Sequence, residues 1–182
     1  MKSIVLLLLS LTPLVFSDPA SIVFSVQKGG ISFTSDAPLE LIEARSNELK
    51  GLIDTDQNSF AFTIDMTTFQ GFNSPLQKEH FNENYLETKA YRKATFAGKI
   101  IETVDLTKDG TYAVRAKGKL DLHGVSNERI IKSEVTVKGG KFRVRSNFTV
   151  LLAEHDIAIP KIVHQKIAEE IQVEVDAGFE VK

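Results

Sequence analysis

The stretch DGTYAVRAKGKLDL, residues 109–122, sets Tyr112, Val114, Ala116, Gly118, Leu120 and Leu122 at every second position. Successive side chains of an extended chain point to opposite faces, so this spacing predicts a half-buried β-strand. The Asp109-Gly110 pair ahead of it is a turn signal. The same pattern recurs in KFRVRSNFTVLL, residues 141–152, where Phe142, Val144, Ser146, Phe148, Val150 and Leu152 alternate after Gly139-Gly140. Lys138, Lys141, Arg143 and Arg145 then form that strand's wet face.

Working outward, Phe60, Phe62, Ile64 and Met66 point one way while Ala61, Thr63 and Asp65 point the other. Ile22, Phe24 and Val26 alternate, and Ile31 and Phe33 do so after a turn expected at Gly29-Gly30. The last run is Ile171, Val173, Val175, Ala177, Phe179 and Val181. Further turn residues stand at Asp54-Thr55-Asp56. Many strands punctuated in this way predict an all-β fold, and their length favours an antiparallel meander curling into a barrel over two packed sheets.

One segment departs from the alternation. Ser74-Pro75-Leu76-Gln77 has an N-cap serine, proline at the first helical position and glutamine where a capping box places it, predicting a short helix over residues 74–87. Its face mixes Leu76, Phe81 and Tyr85 with Gln77, His80 and Asn84. A second short helical stretch is expected from Lys161 to Glu170, where Val163, Ile167 and Ile171 recur every fourth residue.

Lys2, the apolar run from Ile4 to Phe16 and the small Ser17 have the layout of a secretory signal peptide, residues 1–17. The run is interrupted by Ser10, Thr12 and Pro13 and is shorter than the ~20 apolar residues of a spanning helix, so no membrane span is expected once the signal is removed. Residues 18–182 then form one domain. The chain has no cysteine, so no disulfides, and its core must hold it together. An exported chain without cysteine fits a bacterial periplasm, or secretion from a bacterium, better than an animal extracellular module. A net charge of −2 lacks the basic footprint of a nucleic-acid-binding protein.

Catalytic signatures are missing. There is no cysteine nucleophile, G-x-S-x-G elbow, H-E-x-x-H pair or glycine-rich phosphate loop, and His80, His123, His155 and His164 show no metal-ligand spacing. Glu154-His155-Asp156 reads as a solvated turn at a strand exit. No catalytic residue, metal or cofactor is expected. What the chain does carry is phenylalanine on inward strand positions. That material either packs a filled core or lines a lumen that holds an apolar ligand, since barrels of about eight strands sit at the boundary between the two.

HFNENYLETKAYRKATFAGKI, residues 80–100, resembles the H-F-x-x-x-Y-L-x-x-x-x-Y-P-x-A-x-F-x-G pattern of the YceI-like family. GKLDLHGVSNERI, residues 118–130, resembles that family's G-x-L-x-[ILV]-x-G-V-[ST] signature, and Asp156 to Val163 with Ile171 to Val173 resembles its closing pattern. Arg92 stands where the family commonly has proline. Residues 69–73, Phe-Gln-Gly-Phe-Asn, lack the usual Arg-Asp pair and are similar to the variant with a G-F-x-S-x-L-x-x-E-H-F helix.

The resemblance implies a lipocalin-like antiparallel barrel of about eight strands with one or two short helices. It also implies a non-enzymatic periplasmic protein that holds a polyisoprenoid or other lipid-like molecule along the barrel axis. By position the lumen candidates are Phe60, Phe62, Ile64, Met66, Phe96, Ile100, Val114, Phe142 and Phe148, with Phe72, Leu76, Phe81 and Tyr85 at a helix-capped mouth. His80, Asn82 or Asn84 would meet a head group there. Each buried methylene gains ~0.8 kcal/mol, so such a site needs no strong polar contact. The rival reading is a filled barrel with a structural or interaction role in the envelope; a homodimer is compatible with either.

Overall fold

A computed structural model describes residues 23–105 and 108–181; the signal segment expected at residues 1–17 lies outside the described residues. Among the described residues, nine antiparallel strands form one sheet: β1 (Val23–Ala37), β2 (Glu40–Ser46), β3 (Lys50–Asp54), β4 (Ser59–Asp65), β5 (Lys93–Ile100), β6 (Gly110–Leu122), β7 (Val125–Lys138), β8 (Lys141–Leu151) and β9 (Glu170–Val181). The long β1 closes the sheet into a barrel. One edge of it pairs with β9, from Phe24 opposite Val181 to Thr34 opposite Gln172. Its other edge is shared, with β3 beside residues 23–25 and β2 beside residues 31–37. β2 and β3 thus occupy one position, so the barrel the alternation predicts has eight, the number the resemblance implies. Closure leaves no continuous open edge along the sheet.

The turn expected at Gly29-Gly30 is not there. Both glycines lie inside β1, just after a bulge between Val26 and Lys28. Gly29 serves close approach: a Cβ there would stand 2.7 Å from the Leu49 carbonyl oxygen, at the break between β2 and β3, whereas one on Gly30 would meet nothing nearer than 3.7 Å. Gly139-Gly140 does reverse the chain, with φ of +60° and +75°. His123-Gly124 makes the same two-residue turn between β6 and β7, with φ of +53° and +76°. Paired positive φ values match the twist of the flanking strands.

Inward residues meet differently at the two ends. Around the end where β1 begins, the Phe142 ring packs 4.7 Å from Phe24 and stacks 4.7 Å from Phe179, whose ring takes Phe62 edge-on at 5.9 Å. With Val135, Val137 and Ala177 these side chains fill the barrel there. The opposite end, where β1 runs into β2, is covered by non-strand segments instead.

The helix predicted over residues 74–87 is shorter and changes pitch. α1 spans Pro75–His80, capped by Ser74 Oγ accepting from the Gln77 backbone N–H at 3.1 Å. Gln77 Oε1 accepts from the Asn73 N–H rather than that of Ser74, so the reciprocal half of the box is displaced by one residue. From Phe81 to Tyr85 the chain widens into a π turn, closed by Leu86 N–H donating to the Phe81 carbonyl. The helix expected from Lys161 to Glu170 is overturned. Only a 3-10 turn, Lys161–Val163, forms before β9 takes over at Glu170. The backbone is drawn into tertiary bonds instead, with Leu39 N–H donating to the Gln165 carbonyl and Ala168 N–H to Ser35 Oγ, both at 2.9 Å.

Arg92, the departure from the family pattern, has a structural partner. Asp65 caps the 3-10 turn Met66–Thr68, accepting from the Thr67 hydroxyl at 2.6 Å, from Arg92 Nε at 2.7 Å and from the Thr67 N–H at 3.0 Å. Those bonds, the Thr67 hydroxyl first, hold its carboxyl at about 2. A folded pKa below the ordinary 3.8 means that the charged form stabilises the fold. That stabilisation is complete above the ordinary value and is lost as pH falls through the folded one. Asp65→Asn is expected to cost about 1 kcal/mol at neutral pH, in the range of lost caps. Urea unfolding should show the gap from wild type closing as the pH is lowered from 4 towards 2.

Candidate functional site

The strands bring their inward residues together around two adjoining apolar spaces. The larger, about 450 Å³, lies under α1. Ile31 and Phe33 of β1, Ile42 of β2 and Ile64 of β4 wall it on one side. Leu120 and Leu122 of β6, Phe148 and Val150 of β8, and Ile171 and Val173 of β9 wall the other. The second, about 120 Å³, lies deeper and is bounded by Phe60, Phe62, Phe96, Ile100 and Val114 among others. Ile31, Ile64, Ala94, Leu120 and Phe148 border both, so the two succeed one another along the barrel. Beyond the inner space stands the phenylalanine-packed end.

The mouth is built from Ser74, Leu76, Gln77 and His80 of the α1 region on one side and Val163, Lys166 and Ile167 on the other. Beneath it lies an aromatic group. Phe81 stacks on Phe33 at 5.4 Å with an interplanar angle of 13°, and touches Phe72 at 5.0 Å and Phe69 at 6.0 Å. Phe81 and Tyr85, four residues apart, share one face of this turn and both border the cavity. Burial pushes the Tyr85 hydroxyl up from its ordinary value of 10. The polar groups at the rim are few and partly engaged: Gln77 Nε2 donates to Glu40 Oε1 at 2.9 Å, and Ser35 Oγ is taken by Ala168. The arrangement suits an apolar guest, since an unpaired polar group taken into such walls would lose its hydrogen bonds to water.

The candidates from the sequence divide cleanly. Met66, Phe72, Leu76, His80, Phe81 and Tyr85 border the outer cavity; Phe60, Phe62, Phe96, Ile100 and Val114 border the inner one; Ile64 and Phe148 border both. Phe142 does not belong to the walls. It sits in the packed end between Phe24 and Phe179, because its strand position lies nearest the β7–β8 turn. Asn82 and Asn84 are not at the mouth either. Asn82 is spent on the π turn, donating to the Lys78 carbonyl and accepting from the Thr88 hydroxyl.

Other wall residues were passed over. Leu120, Val150, Leu152, Ile171 and Val173 carried the same alternation as the residues chosen, and that signal could have found them. Phe69 and Ile157 had none, since they enter from irregular segments after β4 and β8.

His123 and His155 lie together, away from both apolar cavities. His155 is fully buried rather than in a solvated turn. Its Nδ1 lies 3.3 Å from the carbonyls of Leu122 and Val125, so that nitrogen carries the proton and pins the β6–β7 turn. His123 Nδ1 in turn lies 2.9 Å from the His155 carbonyl, and its ring stands against Tyr91. Neither borders the outer cavity. His80 does, at the exposed rim. Among the described residues, no helix is long and apolar enough to cross a membrane.

Comparison with known proteins agrees with this architecture. The family described as YceI-like domain matches residues 17–179. A polyisoprenoid binding domain from Saccharophagus degradans, implicated in plant cell wall breakdown, superposes with a TM-score of 0.75 at 18% identity, covering 88% of this chain and 99% of its own. BcnA of Burkholderia cenocepacia gives 0.69 at 16% identity, covering 82% and 95%. The YceI protein of Campylobacter jejuni gives 0.55 at 13% identity, covering 100% and 99%. No curated protein sequence matches.

Proposed function

This chain belongs to the YceI-like domain family, and from that premise we propose that it is a non-enzymatic binding or carrier protein for a polyisoprenoid or similarly long apolar molecule. The observation that carries the proposal is the apolar cavity of about 450 Å³ beneath α1. A guest there is held by burial: at ~0.8 kcal/mol per methylene, affinity accumulates along the chain without any strong polar contact. The polyisoprenoid binding domain with the same fold supports the class of ligand.

The cavity also bears on length. A methylene takes roughly the room of a water molecule, about 30 Å³, so the outer cavity accepts a chain of about fifteen carbons. The inner space would add a few more. That corresponds to three or four isoprene units, and the remainder of a longer polymer would leave through the mouth. The filled-barrel reading draws support from the Phe24–Phe142–Phe179 packing, which occupies only the far end. We place the protein in a bacterial periplasm, delivered there by residues 1–17.

The test is native mass spectrometry and solvent extraction of the chain from residue 18 onward, followed by titration with geranylgeraniol and an octaprenyl quinone. We expect a co-purified isoprenoid or micromolar or tighter binding of the added probes. Protein that is consistently lipid-free and binds neither would overturn the proposal in favour of the filled barrel.

A further inference from the structure

A long apolar guest cannot simply diffuse to the mouth, because each methylene exposed to water lowers the population of the free chain by a factor of about four. Loading therefore favours direct passage from a lipid phase, and the surroundings of the mouth bear on this. Ile162 is 91% exposed, Leu39 66% and Leu76 57%. They come from three separate elements that the fold ties together at one end of the barrel. The Leu39–Gln165 backbone bond fixes the β1–β2 turn against residues 161–167, and the Gln77–Glu40 bond fixes α1 against the start of β2. Ile162 and Leu39 do not border either apolar cavity. Lys161 flanks Ile162, Lys166 stands at the mouth itself, and Lys78 lies on α1; among the described residues none of the three has an ion-pair partner. The acidic groups at this end are Glu79 on α1, Asp36 near the end of β1 and Glu40, which keeps its charge while accepting from Gln77.

Resting on the ligand reading above, we propose that this rim is a docking surface for an anionic lipid membrane, which sets the cavity mouth against the bilayer. Separated apolar protrusions enter the interfacial region, and lysines between them meet lipid phosphates, the combination that holds interfacial segments on membranes. The isolated side chains, spaced by charge around an opening, suit a fluid apolar phase better than the flat surface of a second protein. The mouth then faces the phase in which the ligand dissolves, and transfer needs no aqueous step.

The experiment is co-flotation of residues 18–182 with phosphatidylcholine vesicles, with and without phosphatidylglycerol, for the wild type, Ile162→Asp, Leu39→Asp and the double variant. Geranylgeraniol affinity is measured separately in vesicle-free solution, and circular dichroism checks folding. We expect wild type to float with the anionic vesicles and to be released by salt. The double variant should lose about a hundred-fold in partitioning, at ten-fold or more for each apolar side chain no longer buried, with prenol affinity unchanged. Absence of wild-type flotation, or flotation indifferent to both substitutions, overturns the docking proposal. So does concentration-dependent dimerisation that the substitutions abolish without affecting vesicles. A wild type that floats but binds no prenol would instead overturn the ligand reading and leave the docking surface standing.

Discussion

Ala94→Phe should reduce the affinity for a long isoprenoid by about a hundred-fold while leaving the melting temperature equal or higher. Ala94 borders both cavities, opposite Ile64 in the β4–β5 pairing. A phenyl ring added there occupies the passage from the outer space to the inner one and displaces several ligand carbons. At ~0.8 kcal/mol per methylene the gross loss is about 3–4 kcal/mol, of which part is returned because less chain has to be ordered. The fold should not suffer, since filling a void commonly adds 0.5–2 kcal/mol, an order-of-magnitude figure for cavity-filling changes in general. The opposed signs make the result diagnostic. Titration with geranylgeraniol beside a thermal melt checks it; lost affinity together with lost stability would point to collapse of the site rather than its occupation.

Gly98→Ala should be the most damaging single-methyl change in the chain. Gly98 of β5 faces Gly118 of β6, and a Cβ on Gly98 would stand 2.1 Å from the Lys117 carbonyl oxygen and 2.5 Å from Gly118 Cα. A Cβ on Gly118 would likewise fall 2.4 Å from the Ala97 carbonyl oxygen. The obstructing atoms are backbone, which cannot swing aside as a side chain can. The two strands must separate, and the β5–β6 pairing from Thr95–Asp121 to Ile100–Ala116 loosens with them. We expect a loss of at least about 3 kcal/mol, at the upper end of overpacking costs. For a domain of this size that lowers the melting temperature by roughly 6–12 °C. Differential scanning calorimetry of the variant decides the matter, and an unchanged melt would show that the strands do not approach so closely.

The barrel strands were legible because alternation is a local property. Tyr112 to Leu122 and Phe142 to Leu152 declare which face is inward whatever they pack against. The start of α1 was legible for the same kind of reason, since Ser74, Pro75 and Gln77 act on backbone groups within one turn. The reading failed where a distant partner outbid the local preference. Gly29-Gly30 looked like a reversal but continues β1, with Gly29 serving the approach of Leu49, and residues 161–170 had helical spacing but bond to Leu39 and Ser35. His155 looked solvated because nothing nearby in sequence shows that the β6–β7 turn closes over it.

By itself, then, the sequence determined that this chain is an antiparallel barrel, which side chains face its axis, and that a capped helix interrupts the strands. Tertiary structure alone decided that the barrel is packed at one end and open at the other. Phe142 and Phe148 are alike in type and in parity along β8, yet one is buried in a stack of rings and the other borders both cavities. Parity settles the face a side chain takes. Whether it meets another ring or empty space depends on how far away the opposite wall stands, and register, tilt and closure between strands remote in sequence set that distance.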